Sequence, residues 1–203
     1  MEYKNEDYSG IYVFEGIDNV GKTTIVQKLK EKILRNTGFE CVSVAFPGNE
    51  PRTLGELVYD IHHNEEKYFD IHLNETSLQM LHIASHIDLI QRKLRKLCSE
   101  QCIVLLDRYW WSTYVYGLAN GLDNDIVQIL LKPELIYWEN INVRRIFLLE
   151  REKRERDYEE TKDKIIVDLY RKIADEDRKS VIVNNNGSID NAVMQIYNNI
   201  IGV

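Results

Sequence analysis

The stretch Gly16-Ile17-Asp18-Asn19-Val20-Gly21-Lys22-Thr23 fits the pattern G-x-x-x-x-G-K-[ST]. The apolar run IYVF (11–14) stands just before it, and Thr23–Asn36 follows with Ile25, Val26, Leu29, Ile33 and Leu34 at helical spacing. A strand that turns through glycines into a helix aims its loop amides at one point. The helix adds a partial positive charge there. This unit holds phosphate. Gly16, Asn19, Val20, Gly21, Lys22, Thr23 and Thr24 are its candidate contacts to a donor nucleotide. Lys22 is placed to reach the β- and γ-phosphates, and the Thr23 hydroxyl to ligate Mg²⁺.

Strand–loop–helix units of this kind belong to α/β folds, and the remaining chain agrees. Four more short apolar runs read as strands: Cys41–Phe46, Ile103–Leu106, a run within Val143–Leu149, and Val181–Val183. Their apolarity is continuous rather than alternating, as expected of parallel strands covered on both faces. Helical periods lie between them. Ser77–Leu97 carries Leu78, Leu81, Ala84, Ile87, Leu94 and Leu97, and Lys162–Asp175 carries Ile165, Ile166, Leu169 and Ile173. Residues 130–149 allow two strands, LIYW (135–138) or VRRIFLL (143–149). We favour the second, with a helix beginning near Pro133 that sets Glu134 and Trp138 one turn apart. The fold class is α/β with a parallel sheet.

At 203 residues the chain suits a single domain, 1–203, with a short basic lid around 150–160. A formal net charge of −7 argues against binding a nucleic acid polymer, which rewards clustered cations. Cys41, Cys98 and Cys102 form no CxxC and read as free thiols in a reducing compartment. No apolar run is long enough to span a membrane, and MEYKNEDYSG lacks a signal-peptide pattern. A cytoplasmic protein is the expectation.

The phosphate-binding loop does not name its acceptor. The guanine-reading NKxD is absent. Asp107 and Arg108 stand where the third strand ends, on the ligand side of such sheets. Asp107 suits Mg²⁺ and Arg108 a phosphate; an ordinary Asp–Arg surface pair is the alternative. Tyr109, Trp110 and Trp111 read as core or as an apolar cleft wall. EREKRERDYEE (150–160) offers Arg151, Lys153, Arg154 and Arg156, either as a solvated helix of i, i+4 pairs or as a basic lid. Two like charges about 4 Å apart repel by about 4 kcal/mol at an effective dielectric of about 20. An enzyme joining two phosphorylated molecules therefore needs several cations, and the lid arginines are a natural source.

FEGIDNVGKTT, FPGNEPRTLGE and LDRYWWSTYVYG, in that order and spacing, resemble the thymidylate kinase family of nucleoside monophosphate kinases. The resemblance is tight over residues 11–117 and looser beyond. It implies a three-layer P-loop kinase fold with strand order 2-3-1-4-5 and transfer of the γ-phosphoryl of ATP, with Mg²⁺, to a deoxynucleoside monophosphate, dTMP first. It implies that Asp18, Phe46, Pro47, Arg108 and Tyr116 bind the acceptor, with Arg108 on its phosphate and Tyr116 crowding the sugar 2′ position. It implies Lys22, Arg108, Arg151, Arg154 and Arg156 as catalytic, Thr23 and Asp107 on Mg²⁺, and a homodimer.

The departures are specific. Asn19 stands where eukaryotic-type members carry a basic residue, which shifts the expected catalytic cation to the lid. His82 and His86 stand where the family often carries a base-stacking aromatic and an arginine that reads thymine O4. They are either base readers or half-buried polar residues; a His-xxx-His metal site lacks a third ligand. His62-His63 reads as surface, and NNNGSIDN (184–191) as an adenine-side loop or a plain turn. Glu50-Pro51 admits a deoxynucleoside kinase with Glu50 as base for a sugar hydroxyl. A nucleotide-binding module without transfer activity is the non-enzymatic alternative.

Overall fold

The computed structural model describes residues 8–48, 50–100, 102–152 and 160–202. Five strands form one parallel sheet: β1 (Gly10–Glu15), β2 (Cys41–Ala45), β3 (Ile103–Asp107), β4 (Val143–Glu150) and β5 (Ser180–Asn184). Their order is β2-β3-β1-β4-β5, as the resemblance implied. Every residue of the central strand β1 is buried, which explains its unbroken apolarity. Register brings Phe14 beside Asp107 on β3 and Phe147 on β4, so the strand ends converge on one edge.

The helices are α1 (Lys22–Thr37), α2 (Leu54–His63), α3 (Glu75–Leu89), α4 (Arg95–Ser99), α5 (Trp110–Ala119), α6 (Asn124–Trp138), α7 (Glu160–Glu176) and α8 (Ile189–Ile201). Helices α1 and α8 pack together on one face of the sheet, and α3, α5, α6 and α7 on the other. Ile25, Val26, Leu29 and Ile33 of α1 are buried, as their spacing predicts.

Three expectations need correction. The stretch read as one helix from Ser77 to Leu97 passes through a π-helical turn, Ile90–Leu94, before α4. Its buried face carries Gln79, Ile83, Ser85, His86 and Leu89, while Ala84 is exposed. Polar residues on the inward face hide the stripe from an apolar count. The strand at Val143–Glu150 is borne out, but Pro133 opens no helix: it lies inside α6, which begins at Asn124. The buried stripe of α6 is Val127, Leu131, Glu134 and Trp138, and its glutamate masks the period.

Helix α2 is opened by a capping pair at TLGE: Thr53 Oγ1 accepts the Glu56 amide at 3.2 Å, and Glu56 accepts the Arg52 amide at 2.6 Å. Gly55 lets this turn lie against the loop after β2, because a Cβ there would stand 2.2 Å from the Pro47 carbonyl oxygen. Gly55→Ala is expected to lose about 1–3 kcal/mol, read as a lower urea midpoint; an unchanged midpoint would refute the close approach.

Candidate functional site

The loop after β1 is shaped by backbone that side chains resist. Gly16 has φ +135°, and a Cβ on it would meet the Leu149 carbonyl oxygen at 2.4 Å. Asn19 also sits at positive φ, a conformation asparagine tolerates better than most residues. Among the described residues, the amides of residues 17–21 have no partner. Unpaired donors beside the first turn of α1 make an anion site.

Lys22 is buried inside this loop, and its Nζ donates to the carbonyls of Gly16 at 2.8 Å and Ile17 at 3.1 Å. Burial of the ammonium, and then the nearby Arg108 charge, lowers Lys22 to about 8. Asp107 and Asp18 oppose that shift, which places both carboxylates near the same cation. Asp18, Asn19, Thr23 and Thr24 are exposed around the loop, and Val20 is buried beneath it.

Asp107 ends β3, and its Oδ1 is buried with no hydrogen-bond partner. An orphaned carboxylate oxygen near Lys22, with the exposed Thr23 next to that lysine in the chain, suits a hard, oxygen-seeking cation, so the donor set fits Mg²⁺. No cluster of three metal-ligating side chains exists among the described residues, and His82 and His86 gain no third ligand.

Arg108 is not paired with Asp107. Its guanidinium meets Asp18, donates to Ser112 Oγ at 3.2 Å, and lies 5.4 Å from the centre of the Tyr116 ring. Its backbone has φ +74°. Trp111 is core, and Trp110 packs partly buried against it. The aromatic pair is thus largely structural.

Glu15 is the residue that the sequence reading passed over. Its fully buried carboxylate accepts the amides of Tyr109 at 2.7 Å and Ser112 at 3.2 Å, closing the N-terminus of α5. It also accepts the Ser112 hydroxyl at 2.8 Å and the Tyr170 hydroxyl of α7 at 3.1 Å. Burial raises its pKa, opposed first by Arg108. One carboxylate thus joins β1, the segment bearing Arg108, and α7. The signal was an acidic residue closing an apolar strand.

Asn185 supports the loop from the far side: its Nδ2 donates to the Val20 carbonyl at 2.7 Å, and its amide to the Glu150 carbonyl at 2.7 Å. NNNGSIDN is therefore built against the phosphate-binding loop. Asn184, Asn186 and Arg151 line a cavity of about 150 Å³ together with Gly16, Ile17 and Tyr170. Arg154, Arg156 and Lys153 lie outside the described residues.

On the β2 side, Phe46 is buried and stacks on His86, with ring centres 4.2 Å apart. His86 is buried, and its Nδ1 lies 3.1 Å from Glu134 Oε2. His82 is half-buried, and its Nε2 meets His62 Nδ1 at 2.9 Å. Burial, then His86, His62 and Arg108, lowers His82 to about 3. His62 and His63 are exposed, as expected, yet His62 reaches this cluster. Glu50 is held by Lys93 beside a crevice of about 40 Å³ that contains no residue of the phosphate-binding loop.

A family model described as thymidylate kinase matches residues 14–196. A curated thymidylate kinase from Thermoanaerobacter sp. strain X514 is 34% identical over 118 residues, covering 58% of this chain and 55% of that protein. The chain thus spans about half the length of that relative. One from Thermosipho melanesiensis is 29% identical over 195 residues, covering 90% of this chain and 93% of that protein. Thymidylate kinase structures from Ehrlichia chaffeensis and Candida albicans superpose with TM-scores of 0.75 and 0.72, at 20% and 19% identity. Each covers 93% of this chain, and 96% and 90% respectively of the other.

Glu15→Ala would take the acceptor from the buried Tyr109 amide and remove the oxygen shared by the Ser112 and Tyr170 hydroxyls. It is expected to lose about 1–3 kcal/mol. Urea unfolding checks this, and unchanged stability would remove Glu15 from this role.

Proposed function

Because the chain belongs to the thymidylate kinase family, we propose that it moves the γ-phosphoryl group of ATP to a deoxynucleoside monophosphate, dTMP first, giving dTDP. The observation that carries this reading is the convergence of Lys22, Asp107, Arg108 and Asp18 at one edge of the sheet. A donor site and a phosphate-holding arginine meet there, as transfer between two anions requires.

In this reading the loop amides and Lys22 hold the donor phosphates. On binding, Lys22 exchanges the carbonyls of Gly16 and Ile17 for phosphate oxygens. Thr23 and Asp107 would hold Mg²⁺, which would neutralise charge on the donor phosphates. Arg108 leaves Asp18 for the acceptor phosphate, and Asp18 turns to the acceptor sugar. Tyr116, under Arg108, sits at the 2′ side. Phe46, Pro47, His82 and His86 form the base end. Arg151 with Arg154 and Arg156 of the basic lid completes the charge on the transferring group, and the cavity between Arg151, Asn184 and Asn186 takes the adenine side of ATP. The acceptor phosphate is already ionised, so no base is needed. Glu50, paired with Lys93, supplies none, which disfavours the deoxynucleoside kinase reading.

The whole chain acts as one domain in this reading. Exposed Met80, Ile129 and Ile136 on the packed helices α3 and α6 suit a second copy, in line with the homodimer the family implies. The free thiols and the lack, among the described residues, of any helix long and apolar enough to cross a membrane accord with the cytoplasm.

A coupled assay of ATP turnover against deoxynucleosides and their monophosphates tests the reading. Turnover with dTMP but not thymidine is expected. Thymidine alone would favour the nucleoside kinase, and ATP binding without turnover would favour a binding module. Lys22→Ala is expected to lower transfer by at least about a hundredfold; a near-full rate would overturn the donor assignment. Phosphate prefers the protonated lysine, so ATP affinity should fall as pH rises through about 8 in the wild type and lose that dependence in Lys22→Met.

A further inference from the structure

Three asparagines follow one another where β5 ends, and each is used differently. Asn184 Oδ1 accepts the Asn186 amide at 2.8 Å, and Asn186 Oδ1 accepts the Glu152 amide at 2.7 Å. Asn185 alone of the three turns inward and is 2% exposed. Its backbone amide is fixed to the Glu150 carbonyl at 2.7 Å, and its Nδ2 donates to the Val20 carbonyl at 2.7 Å. A carbonyl only accepts, so the side-chain atom facing Val20 must be the nitrogen. Asn185 Oδ1 is thereby turned elsewhere, where it is buried with no hydrogen-bond partner. An unpaired buried acceptor is costly, and an apolar side chain would avoid that cost. What asparagine adds at this position is the bond to Val20.

That bond sets the direction of a donor. The Val20–Gly21 peptide is trans, and in a trans peptide the carbonyl and the following N–H point to opposite sides. With the Val20 carbonyl drawn to Asn185, the Gly21 N–H points away from it. The Gly21 amide has no partner among the described residues, and the next residue is Lys22, whose ammonium lies inside the loop. Gly21 cannot hold this plane by itself. Its φ is +95°, and without a Cβ it lets the peptide ahead of it turn over at little cost. The glycine is also required by Asn185, because a Cβ there would stand 2.7 Å from Nδ2.

We propose that Asn185 is a positioning residue for the phosphoryl donor. By holding the Val20 carbonyl it keeps the Gly21 N–H aimed at the donor phosphates. The inference rests on the donor reading above and extends it to a side chain outside the phosphate-binding loop.

The test is calorimetric binding of ATP and of dTMP to the full chain as wild type, Asn185→Leu and Asn185→Ala, with urea unfolding and ¹H–¹⁵N NMR of the Gly21 amide. Leucine has nearly the shape of asparagine and removes the unpaired oxygen together with the donor; alanine removes both and leaves space. Each variant should bind ATP about tenfold more weakly and dTMP within about twofold of wild type. In wild type the Gly21 amide proton should move downfield when ATP is added, and in the variants that displacement should fall by about half or more. A purely structural role would lower the urea midpoint and weaken both ligands alike. Equal losses for ATP and dTMP, unchanged ATP affinity in a folded variant, or a wild-type Gly21 amide that ignores bound ATP would each overturn the proposal. If one variant does not fold, the other decides; if neither folds, Asn185 serves the fold and the proposal fails. A wild type that binds no ATP would instead overturn the donor reading, and this inference with it.

Discussion

A carboxylate with no access to water must be surrounded by donors, and Glu15 meets that demand by recruiting them from two other elements. The amides of Tyr109 and Ser112 come from the first turn of α5, and the Tyr170 hydroxyl from α7. The same Ser112 hydroxyl accepts from Arg108. The strand that launches the phosphate-binding loop is thus tied to the arginine that faces it and to the helix following the basic stretch. Leaving any of these donors unpaired in the interior would cost more than the bond itself contributes. That asymmetry makes the arrangement specific.

The opposite face of the loop is held by the same principle. Asn185 spends its amide nitrogen on the Val20 carbonyl, across 165 residues of chain. Its own backbone amide reaches the end of β4. The loop is braced by polar contacts from both sides while its inward amides stay free for an anion. Lys22 caps the loop's own carbonyls in the meantime, which lets a buried ammonium keep partners before any phosphate arrives.

Much of this was legible in the sequence where the signal is local. The five strands and the helices at α1 and α7 came from apolar period, and the loop from glycine spacing. The failures share a cause. Helix α6 was cut at Pro133 because proline favours a first turn, although here it lies mid-helix, and the inward face of α3 was misread because Gln79, Ser85 and His86 occupy it. An apolar count treats such residues as outward-facing. They turn inward because partners wait for them: His86 finds Glu134, and Glu134 finds Trp138.

By itself, then, the sequence determined a phosphate-binding loop on a parallel sheet and the Asp107–Arg108 step at its edge, because both depend on residues adjacent in the chain. It also carried the resemblance that led to the family. Only the tertiary structure decided that Arg108 turns to Asp18 rather than Asp107, that Glu15 and Asn185 brace the loop, and that His86 is clamped by Phe46 and Glu134. The physical reason is that a buried polar group is defined by its partner, and these partners lie 40 to 165 residues apart.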